Sequence, residues 1–414
     1  MNRLCISSEI GKLKRVIVHQ PGNEIQQMIP DTAKDYLFND ILDNTLAKKH
    51  HSEMTEILKQ FAQVYEVTTL LEDTLRSEKQ KETLLKSLFK VINIPEKYFE
   101  KVIHLSSEKL AKLLIEGLES EYETLTNFLS NHKYLLPPIP NILFTRDAIA
   151  VINHHVLNCN MAYKVRTVEQ IIMRHIFEHH QELGHPDFYF PSATSLPINA
   201  TIEGGDLLVL REDVLAIGIS ERTTPQAVDH LIIELKKIGL VKHIFCVVLP
   251  KHVDMIHLDM VFTMVDHNYA CIYEPAILGN MHIETIHINI SENTNRIQPV
   301  KNILQGLQSV KIDLEPVFCG GDERTFKDRE LRMCGSNLFA MGPGQIIGYK
   351  RNIKTFEQLE KVAKMPTILV NDILNGTVKL SNYSRFAICF NGSELSRGGG
   401  GTRCMTLPIE RDDL

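Results

Sequence analysis

The cysteine nearest the carboxyl end of the chain, Cys404, lies shortly after four consecutive glycines, Gly398–Gly401. Glycine lets a backbone adopt positive φ angles and approach a ligand closely. A thiol placed after such a run is suited to act as a nucleophile at the mouth of a site. Arg397 and Arg403 flank the run, and an accessible thiol in an electropositive setting has a lowered pKa. The segment predicts an accessible, reactive cysteine; the alternative is a flexible tail with a chance cysteine.

An imidazole and a carboxylate lie two residues apart in the segment Met255–Phe262, as His257 and Asp259. In an extended chain, alternate side chains point to the same face. If this segment is extended, His257 and Asp259 therefore project side by side into one site. The alternative is a strand with a polar edge.

Two further acidic segments each precede an apolar run. Glu203–Asp206 reads Glu-Gly-Gly-Asp, and Asp147 ends a segment that begins at Phe144. A glycine pair before a strand permits a bulge or turn that re-aims a neighbouring side chain. For both segments the alternative interpretation is a plain acidic turn before a strand.

Taken together, these groups indicate chemistry on a cation. Several carboxylates around a thiol raise its pKa, so such a site suits a substrate with a permanent positive charge. A guanidinium is planar, always cationic and pairs bidentately with carboxylates. Two carboxylates at its edges leave the central carbon open to sulfur, and the bound cation favours the thiolate. The residues combined in this hypothesis are Cys404, His257, Asp147, Glu203 and Asp259.

The elements that would position these groups alternate along the chain as strands and helices, which indicates an α/β fold. Helices are predicted over Thr167–Glu182, Thr224–Ile238 and Phe356–Ala363. Strands are predicted over Arg15–His19, Ala148–Ile152, Leu207–Leu210, Val214–Gly218, Phe245–Leu249, Tyr269–Tyr273, Gln345–Tyr349 and Phe386–Phe390.

Two features subdivide this pattern. The triplet Gly204–Asp206 recurs as Gly320–Asp322, which indicates modular α/β repeats. Residues 71–132 are instead dense in Leu, Lys and Glu at helical spacing. We expect an all-helical insertion there, with residues 1–70 and 133–414 forming the α/β part.

The overall composition argues against several classes of protein. The chain has 414 residues, with 43% hydrophobic and 23% charged, as in ordinary globular proteins. A net charge of −6 gives no indication of the basic surface that nucleic-acid-binding proteins carry. The sequence has neither a long apolar run for a membrane helix nor a signal-peptide pattern, so a cytoplasmic protein is expected. None of the eight cysteines forms a CxxC pair, which argues against structural zinc.

Together, these motifs resemble those of a known protein family. The sequence resembles the arginine deiminases, members of the guanidino-group-modifying superfamily, from end to end. The matching segments are Phe144–Asp147, Glu203–Asp206, His257–Asp259, Gly400–Met405, Ser8–Gly22, Leu37–Asp40 and Gly342–Gly344, together with the helical stretch.

The resemblance implies a five-fold pseudosymmetric, pentein-like α/β propeller with a helical insertion. It implies hydrolysis of free L-arginine to L-citrulline and ammonia, without metal or organic cofactor. Cys404 would attack the guanidinium carbon, and His257 would protonate the leaving ammonia and then activate water. Asp147 and Asp259 would clamp the guanidinium nitrogens, with Glu203 orienting the imidazole. A homo-oligomer, dimer or tetramer, is also implied, with neither nucleic-acid nor membrane partners.

The resemblance also assigns residues to the rest of the substrate. Arg166 and Arg222 match positions that bind the α-carboxylate, and surface ion pairs are their alternative role. Asn141 and Phe144 match neighbours of the substrate chain, and Leu37 falls in a loop near it.

Two parts of the chain depart from the family pattern. The segment Arg329–Asn337 departs from the family's usual aromatic and acidic residues, and the other departure lies in the glycine loop. Many members carry an arginine where this chain has Gly399, and Arg397 or Arg403 would have to compensate by closing over the site. The rival interpretations are amidino transfer to an amine, hydrolysis of methylated or peptidyl arginine, a catalytically inactive binding homologue and a Cys-His peptidase. The helical stretch, the two arginines and the complete acidic set argue against them.

Overall fold

The computed structural model describes residues 4–119, 125, 129, 134–190, 197, 199–279, 281, 283–292 and 294–414. The part of the predicted helical insertion between 120 and 132, apart from 125 and 129, lies outside the described residues. Among the described residues, no helix is both long enough and apolar enough to span a membrane.

The strands are mostly short, and the apolar ones at the centres of the sheets are largely buried, as expected inside a layered α/β protein. They are β1 (Leu13–Val18), β2 (Gln63–Glu66), β3 (Leu118–Glu119), β4 (Tyr134–Leu136), β5 (Ile149–Ile152), β6 (His155–Asn158), β7 (Leu207–Arg211), β8 (Val214–Ile219), β9 (His243–Val248), β10 (Phe262–Asp266), β11 (Tyr269–Ile272), β12 (Thr285–Asn289), β13 (Arg296–Val300), β14 (Glu315–Phe318), β15 (Phe339–Gly342), β16 (Gln345–Tyr349), β17 (Thr367–Leu369), β18 (Phe386–Phe390) and β19 (Leu407–Arg411).

The α-helices lie between the strands and in one continuous helical region. They are α1 (Asn23–Gln26), α2 (Pro30–Ala33), α3 (Asn44–Leu58), α4 (Val67–Thr74), α5 (Glu78–Ile92), α6 (Lys97–Ile103), α7 (Ser107–Glu116), α8 (Thr167–His179), α9 (Pro225–Ile238), α10 (Glu274–Ile277), α11 (Ile303–Gln308), α12 (Arg324–Arg332), α13 (Ile353–Lys361) and α14 (Val370–Leu374).

The helix α9 shows how the local sequence fixes an element. The Thr224 side chain accepts a hydrogen bond from the backbone N–H of Ala227, and Pro225 occupies the first helical position. The helix ends at Gly239, which has a φ of 77° and therefore terminates it in the left-handed region. The predicted helix Thr224–Ile238 is confirmed, as are the other two predicted helices and all eight predicted strands, within a few residues.

One arrangement of strands occurs five times. Within the described residues, two antiparallel strands are followed, after a connection that contains helix and in two cases further strands, by a strand or bridge that pairs in parallel with the second of them. The sets are β19–β1–β2, β5–β6 with a parallel bridge from Val156 to Phe188, β7–β8–β9, β10–β11–β14 and β15–β16–β18. We call these sets modules 1 to 5. Module 1 joins the two ends of the chain in one sheet.

The recurrent Gly-Gly-Asp triplet does not mark equivalent positions in these modules. Gly204–Asp206 forms a 3-10 turn just before β7, the first strand of module 3. Gly320–Asp322 instead follows β14, the last strand of module 4. The modular repeat exists in the strand pairing, but the triplet is a chance recurrence within it.

The helical region from α4 to α7 packs against module 2. Buried Leu84 and Leu88 of α5 belong to the same hydrophobic cluster as Ile172 and Ile176 of α8. Helix α4 begins at Val67, so it crosses the predicted boundary at residue 71. The two-stranded ribbon β3–β4 connects this region back to the α/β part.

Candidate active site

A cavity of about 370 Å³ opens at one edge of the modules, a size that suits a small-molecule ligand. Glu203 and Asp259 are fully buried behind its wall, and Arg397 lies outside its lining. The predicted site residues that line it are Leu37, Asn141, Phe144, Asp147, Arg166, Arg222, His257, Gly399 and Cys404.

The residues that meet at this cavity share one position in the fold. Each lies in the short segment that precedes the first strand of a module: Asp147 before β5, Glu203 before β7, His257 and Asp259 before β10, and Cys404 before β19. The first strands are buried apolar runs, and the segments before them converge at a common edge. Distant parts of the sequence therefore contribute one side chain or two each.

Cys404 lies in a turn before β19 and is 4% exposed. Its Sγ is 3.9 Å from Oδ2 of Asp259, to which the thiol donates. Burial raises the pKa of the Cys404 thiol well above its usual value, and the charges of Asp259 and Asp147 raise it further. The prediction of an accessible thiol with a lowered pKa is therefore wrong.

The neighbouring arginine does not offset these effects. The Arg403 guanidinium donates from Nε and Nη2 to the Glu9 carboxylate at 2.9 and 3.0 Å. Its Nη1 donates to Oδ2 of Asp259 at 2.8 Å. Because Arg403 is paired with two carboxylates, its charge is neutralised by them and does not make the surroundings of Cys404 electropositive.

His257 reaches the site from a turn, not from a strand. The residues after it, Leu258–Met260, form a 3-10 helix, and β10 begins only at Phe262. The backbone N–H of Leu258 donates to the buried Asp206 carboxylate at 2.9 Å, which stabilises this turn. The extended conformation considered for His257 and Asp259 is therefore wrong, although both side chains reach the site.

The imidazole of His257 lies between two carboxylates. Its Nε2 is 2.9 Å from Oε2 of Glu203, and its Nδ1 is 3.8 Å from Oδ1 of Asp147. Burial would lower the pKa of His257, but the charges of Asp147 and Glu203 outweigh burial and raise it. Burial would raise the pKa of Glu203, but its hydrogen bond with His257 and the Arg166 charge lower it. The pair is an imidazolium and a carboxylate at neutral pH.

Asp147 and Asp259 are arranged alike. Oδ2 of Asp147 accepts from Arg166 at 2.7 Å, and Oδ2 of Asp259 accepts from Arg403 at 2.8 Å. Oδ1 of each carboxylate is buried and has no hydrogen-bond donor among the described residues. A buried anionic oxygen without a donor is costly, so both oxygens are suited to bind a cationic ligand rich in N–H groups.

The two predicted carboxylate-binding arginines are buried, not superficial. Arg166 donates to Asp147 and Glu169, and its Nη1 lies 3.6 Å from Glu203. Arg222 lies 3.4 Å from Glu203 through Nη1, and its guanidinium lies 4.6 Å from the centre of the Tyr163 ring. Both belong to the same network of charges and line the cavity.

A metal ion has a possible donor set here. Asp147, Glu203 and His257 offer ligand atoms that lie within 4.8 Å of one another. Nη1 of Arg166 lies 2.7 Å from Asp147 and 3.6 Å from Glu203, so a guanidinium already neutralises this donor set. The arrangement fits an internal ion-pair network better than a metal site.

Two loops form the mouth of the cavity and contact each other. Arg397 pairs with Asp40 at 2.6 Å and with Glu394 at 3.0 Å, and so joins the loop of Leu37 to the glycine loop. Gly399 has a φ of 96°. A Cβ at this position would lie 2.6 Å from Nδ2 of Asn39.

Gly399→Ala is expected to lower the free energy of unfolding by about 1 kcal/mol, because alanine is strained at positive φ. It is also expected to raise KM, because the new methyl group displaces Asn39 at the cavity mouth. Urea unfolding and steady-state kinetics measure the two effects. Gly239→Ala is the matched control, since Gly239 has a φ of 77° and no neighbouring atom within 4 Å of such a Cβ. Equal KM values for the two variants would contradict a role for this loop in substrate binding.

Comparison with known proteins decides the family. A family model described as arginine deiminase matches residues 34–411. Proteins named arginine deiminase from Streptococcus agalactiae serotype Ia and Treponema denticola are 32% and 31% identical to the chain. Each alignment covers 99% of this chain and 98% of the relative. The chain belongs to the arginine deiminase family. It is therefore an arginine deiminase-type hydrolase, as the sequence motifs predicted.

Solved structures share the mixed α/β fold of this arginine deiminase family member at low identity. SxtG, an amidinotransferase from Microseira wollei, has a TM-score of 0.54 at 11% identity and covers 99% of this chain and 98% of its own. The substrate-bound N-terminal domain of ArgZ, a cyanobacterial arginine dihydrolase, has a TM-score of 0.53 at 14% identity and covers 97% and 99%. These likenesses establish the fold alone.

The sequence motifs did not identify two residues that support the arginine deiminase site. Asn337 contacts the backbone of Cys404, and Glu9 holds Arg403. Glu9 falls in the opening segment that resembles the family, which was a usable signal. Asn337 has no signal in a single sequence, because its contacts are made with residues far away along the chain.

Proposed function

We propose that the chain hydrolyses the guanidinium group of free L-arginine to L-citrulline and ammonia. One observation carries the proposal: a thiol and an imidazolium line one small cavity together with Asp147, Asp259 is buried behind its wall, and one oxygen of each carboxylate lacks a donor among the described residues. A guanidinium offers N–H donors along its edges and an electrophilic carbon at its centre. The Oδ1 atoms of Asp147 and Asp259 suit the nitrogens, and Sγ of Cys404 suits the carbon.

The first half of the reaction makes a covalent intermediate. As the substrate cation enters beside Asp147 and Asp259, its charge lowers the pKa of Cys404, and the thiol proton leaves to water. The thiolate attacks the guanidinium carbon and forms a C–S bond. The C–N bond to the leaving nitrogen breaks as the imidazolium of His257 donates its proton, and ammonia departs.

The second half regenerates the thiolate. The now neutral His257 takes one proton from water, which attacks the amidino carbon. As the C–S bond breaks, the remaining hydroxyl proton leaves to bulk water, so that neutral citrulline and the thiolate are released. Glu203 keeps the imidazole oriented and favours its protonated form through the 2.9 Å contact at Nε2. The raised pKa of His257 matches a group that must begin the cycle as an acid.

The remaining residues bind the amino-acid end of the substrate. Arg222 and Arg166 supply positive charge for the α-carboxylate, and Asn141 and Phe144 border the aliphatic chain. Leu37 and Gly399 form the mouth. Arg397 acts from outside the cavity, by joining the two loops, and does not contact the substrate.

A product assay tests this function and separates it from the related activities. The reduced protein is incubated with arginine, with methylated arginines, and with arginine plus glycine. Citrulline and ammonia from arginine alone are expected. Methylamines would indicate a methylarginine hydrolase, and an amidino product on glycine would indicate an amidinotransferase. No product from the folded, reduced protein would refute the enzymatic proposal in favour of a binding protein.

We further propose that the five modules close into a pentein-like five-fold propeller, with residues 71–132 inserted as a helical domain. The support is the fivefold recurrence of one strand pairing, and the sheet in which β19 pairs with β1. A cytoplasmic location is proposed from the sequence pattern, and a homo-oligomer is proposed from the sequence resemblance alone.

A further inference from the structure

Four modules supply the groups of the proposed reaction, from the segments before β5, β7, β10 and β19. The equivalent segment of module 5 is the one before β15, and it carries Asn337. This side chain is 1% exposed and lies outside the cavity lining. We propose that Asn337 is a positioning residue that holds Cys404 and Asp259 in one rigid frame, a role that rests on the proposed function.

The contacts of Asn337 include the backbones of two residues that must act on the same guanidinium, Cys404 on its carbon and Asp259 on its nitrogens. Its Oδ1 accepts from the backbone N–H of Arg403 at 2.9 Å and from that of Cys404 at 3.1 Å. Its Nδ2 donates to the backbone carbonyl of Asp259 at 3.2 Å. One planar amide thus joins the turn of the nucleophile to the turn of the guanidinium clamp.

The glycine run makes this contact possible. A Cβ at Gly401 would lie 2.6 Å from both Cβ and Oδ1 of Asn337, a distance too short for side-chain atoms. The backbone carbonyl of Asn337 also accepts from Oγ1 of Thr402 at 2.8 Å. The turn that carries Cys404 is therefore closely packed against Asn337 from Gly401 onward.

This arrangement also affects the chemistry at Cys404. In acyl-transfer enzymes the backbone N–H of the nucleophile often donates to an oxyanion. Here the N–H of Cys404 donates to Asn337 and is not available to the substrate. The frame consequently suits attack on a cation and disfavours the Cys-His peptidase alternative. Because misplacement by about 1 Å can cost roughly a hundred-fold in rate, the frame matters to turnover more than to binding.

The test compares Asn337→Leu and Asn337→Asp with a matched control. The control is Asn158→Leu, since Asn158 is also a buried amide that donates to a backbone carbonyl and accepts from Gln170, but lies outside the cavity lining. For each variant, kcat, KM and the pH dependence of Cys404 alkylation by iodoacetamide are measured, with the alkylated site identified by mass spectrometry.

Asn337→Leu is expected to lower kcat by about 10- to 100-fold with a smaller change in KM. Asn337→Asp keeps both acceptor contacts but adds a negative charge, so it is expected to move the alkylation midpoint of Cys404 to higher pH. If Asn337→Leu does not fold, Gly401→Ala provides the same displacement from the other side of the contact. A kcat and alkylation profile equal to those of Asn158→Leu would overturn the proposal. Because alkylation needs no turnover, it still reports on the frame if wild-type protein fails to release citrulline, so the two failures are distinguishable.

Discussion

Cys404→Ser is expected to lower citrulline formation by at least about a thousand-fold, because a serine hydroxyl is a far weaker nucleophile than a thiolate. The bound guanidinium can lower the pKa of a thiol enough to ionise it, but not that of an alcohol. The carboxylate oxygens of Asp147 and Asp259 remain in place in this variant, so arginine binding is expected to persist. Calorimetric titration with arginine and a citrulline assay measure the two properties separately.

Cys334→Ser is the matched control for this variant. Cys334 is another buried cysteine, 2% exposed, and it lies outside the cavity lining. Its replacement by serine is expected to leave turnover close to that of the wild-type protein. Persistent turnover in Cys404→Ser would remove the sulfur from the mechanism, and loss of arginine binding in the same variant would show that it also disturbs the site.

The sequence predicted the site residues because of where they lie relative to the apolar runs. Asp147, Glu203 and Cys404 all precede runs that form the buried first strands of modules. An apolar run can be recognised in the sequence and predicts a buried strand. A charged residue just before the run is therefore held at the end of that strand. The prediction that these groups converge depended on the chemistry of a cationic substrate. Asp147, His257 and Cys404 line one cavity, and Glu203 and Asp259 are buried behind its wall.

Two features of the site depend on contacts that no local pattern encodes. The turn after His257 forms because a carboxylate distant in sequence, Asp206, accepts from its backbone. The pKa of Cys404 depends on its burial and on the charges of Asp259 and Asp147, and a single sequence does not indicate that Arg403 faces Glu9 and leaves these effects unopposed. Local reasoning assigned Arg403 to the electropositive surroundings of the thiol, whereas long-range ion pairs decide its direction.

A network of alternating charges explains how a strongly acidic site remains folded without substrate. Each proposed clamp carboxylate shares one oxygen with an internal guanidinium, Arg166 for Asp147 and Arg403 for Asp259. Breaking a buried pair by removing one partner typically costs several kcal/mol, about 3–5. The internal arginines thus stabilise the carboxylates, while one oxygen of each is left for the substrate cation.

Asp147→Asn tests whether one oxygen of Asp147 pairs with Arg166 while the other binds the substrate cation. The variant keeps the size of the side chain but removes the charge that faces the substrate guanidinium. Hydrogen bonds to charged groups contribute about 1.5–3 kcal/mol, so kcat/KM is expected to fall by roughly a hundred-fold. The charge of Asp147 also opposes the effect of burial on His257 by raising its pKa. Without that charge the imidazolium deprotonates at lower pH, so the alkaline limb of the kcat/KM profile is expected to move to lower pH.

Glu169→Gln separates substrate binding from the support of Arg166. Glu169 is a buried carboxylate that also pairs with Arg166, but it lies outside the cavity lining. If Asp147 acts only by holding Arg166, the two variants should lose similar amounts of kcat/KM. If Asp147 binds the guanidinium directly, the loss in kcat/KM should be much larger for Asp147→Asn than for Glu169→Gln. Arginine analogues that lack the guanidinium charge should then bind wild-type protein and Asp147→Asn with similar affinity. The reason is that Oδ1 of Asp147 contacts the charged group and not the aliphatic chain.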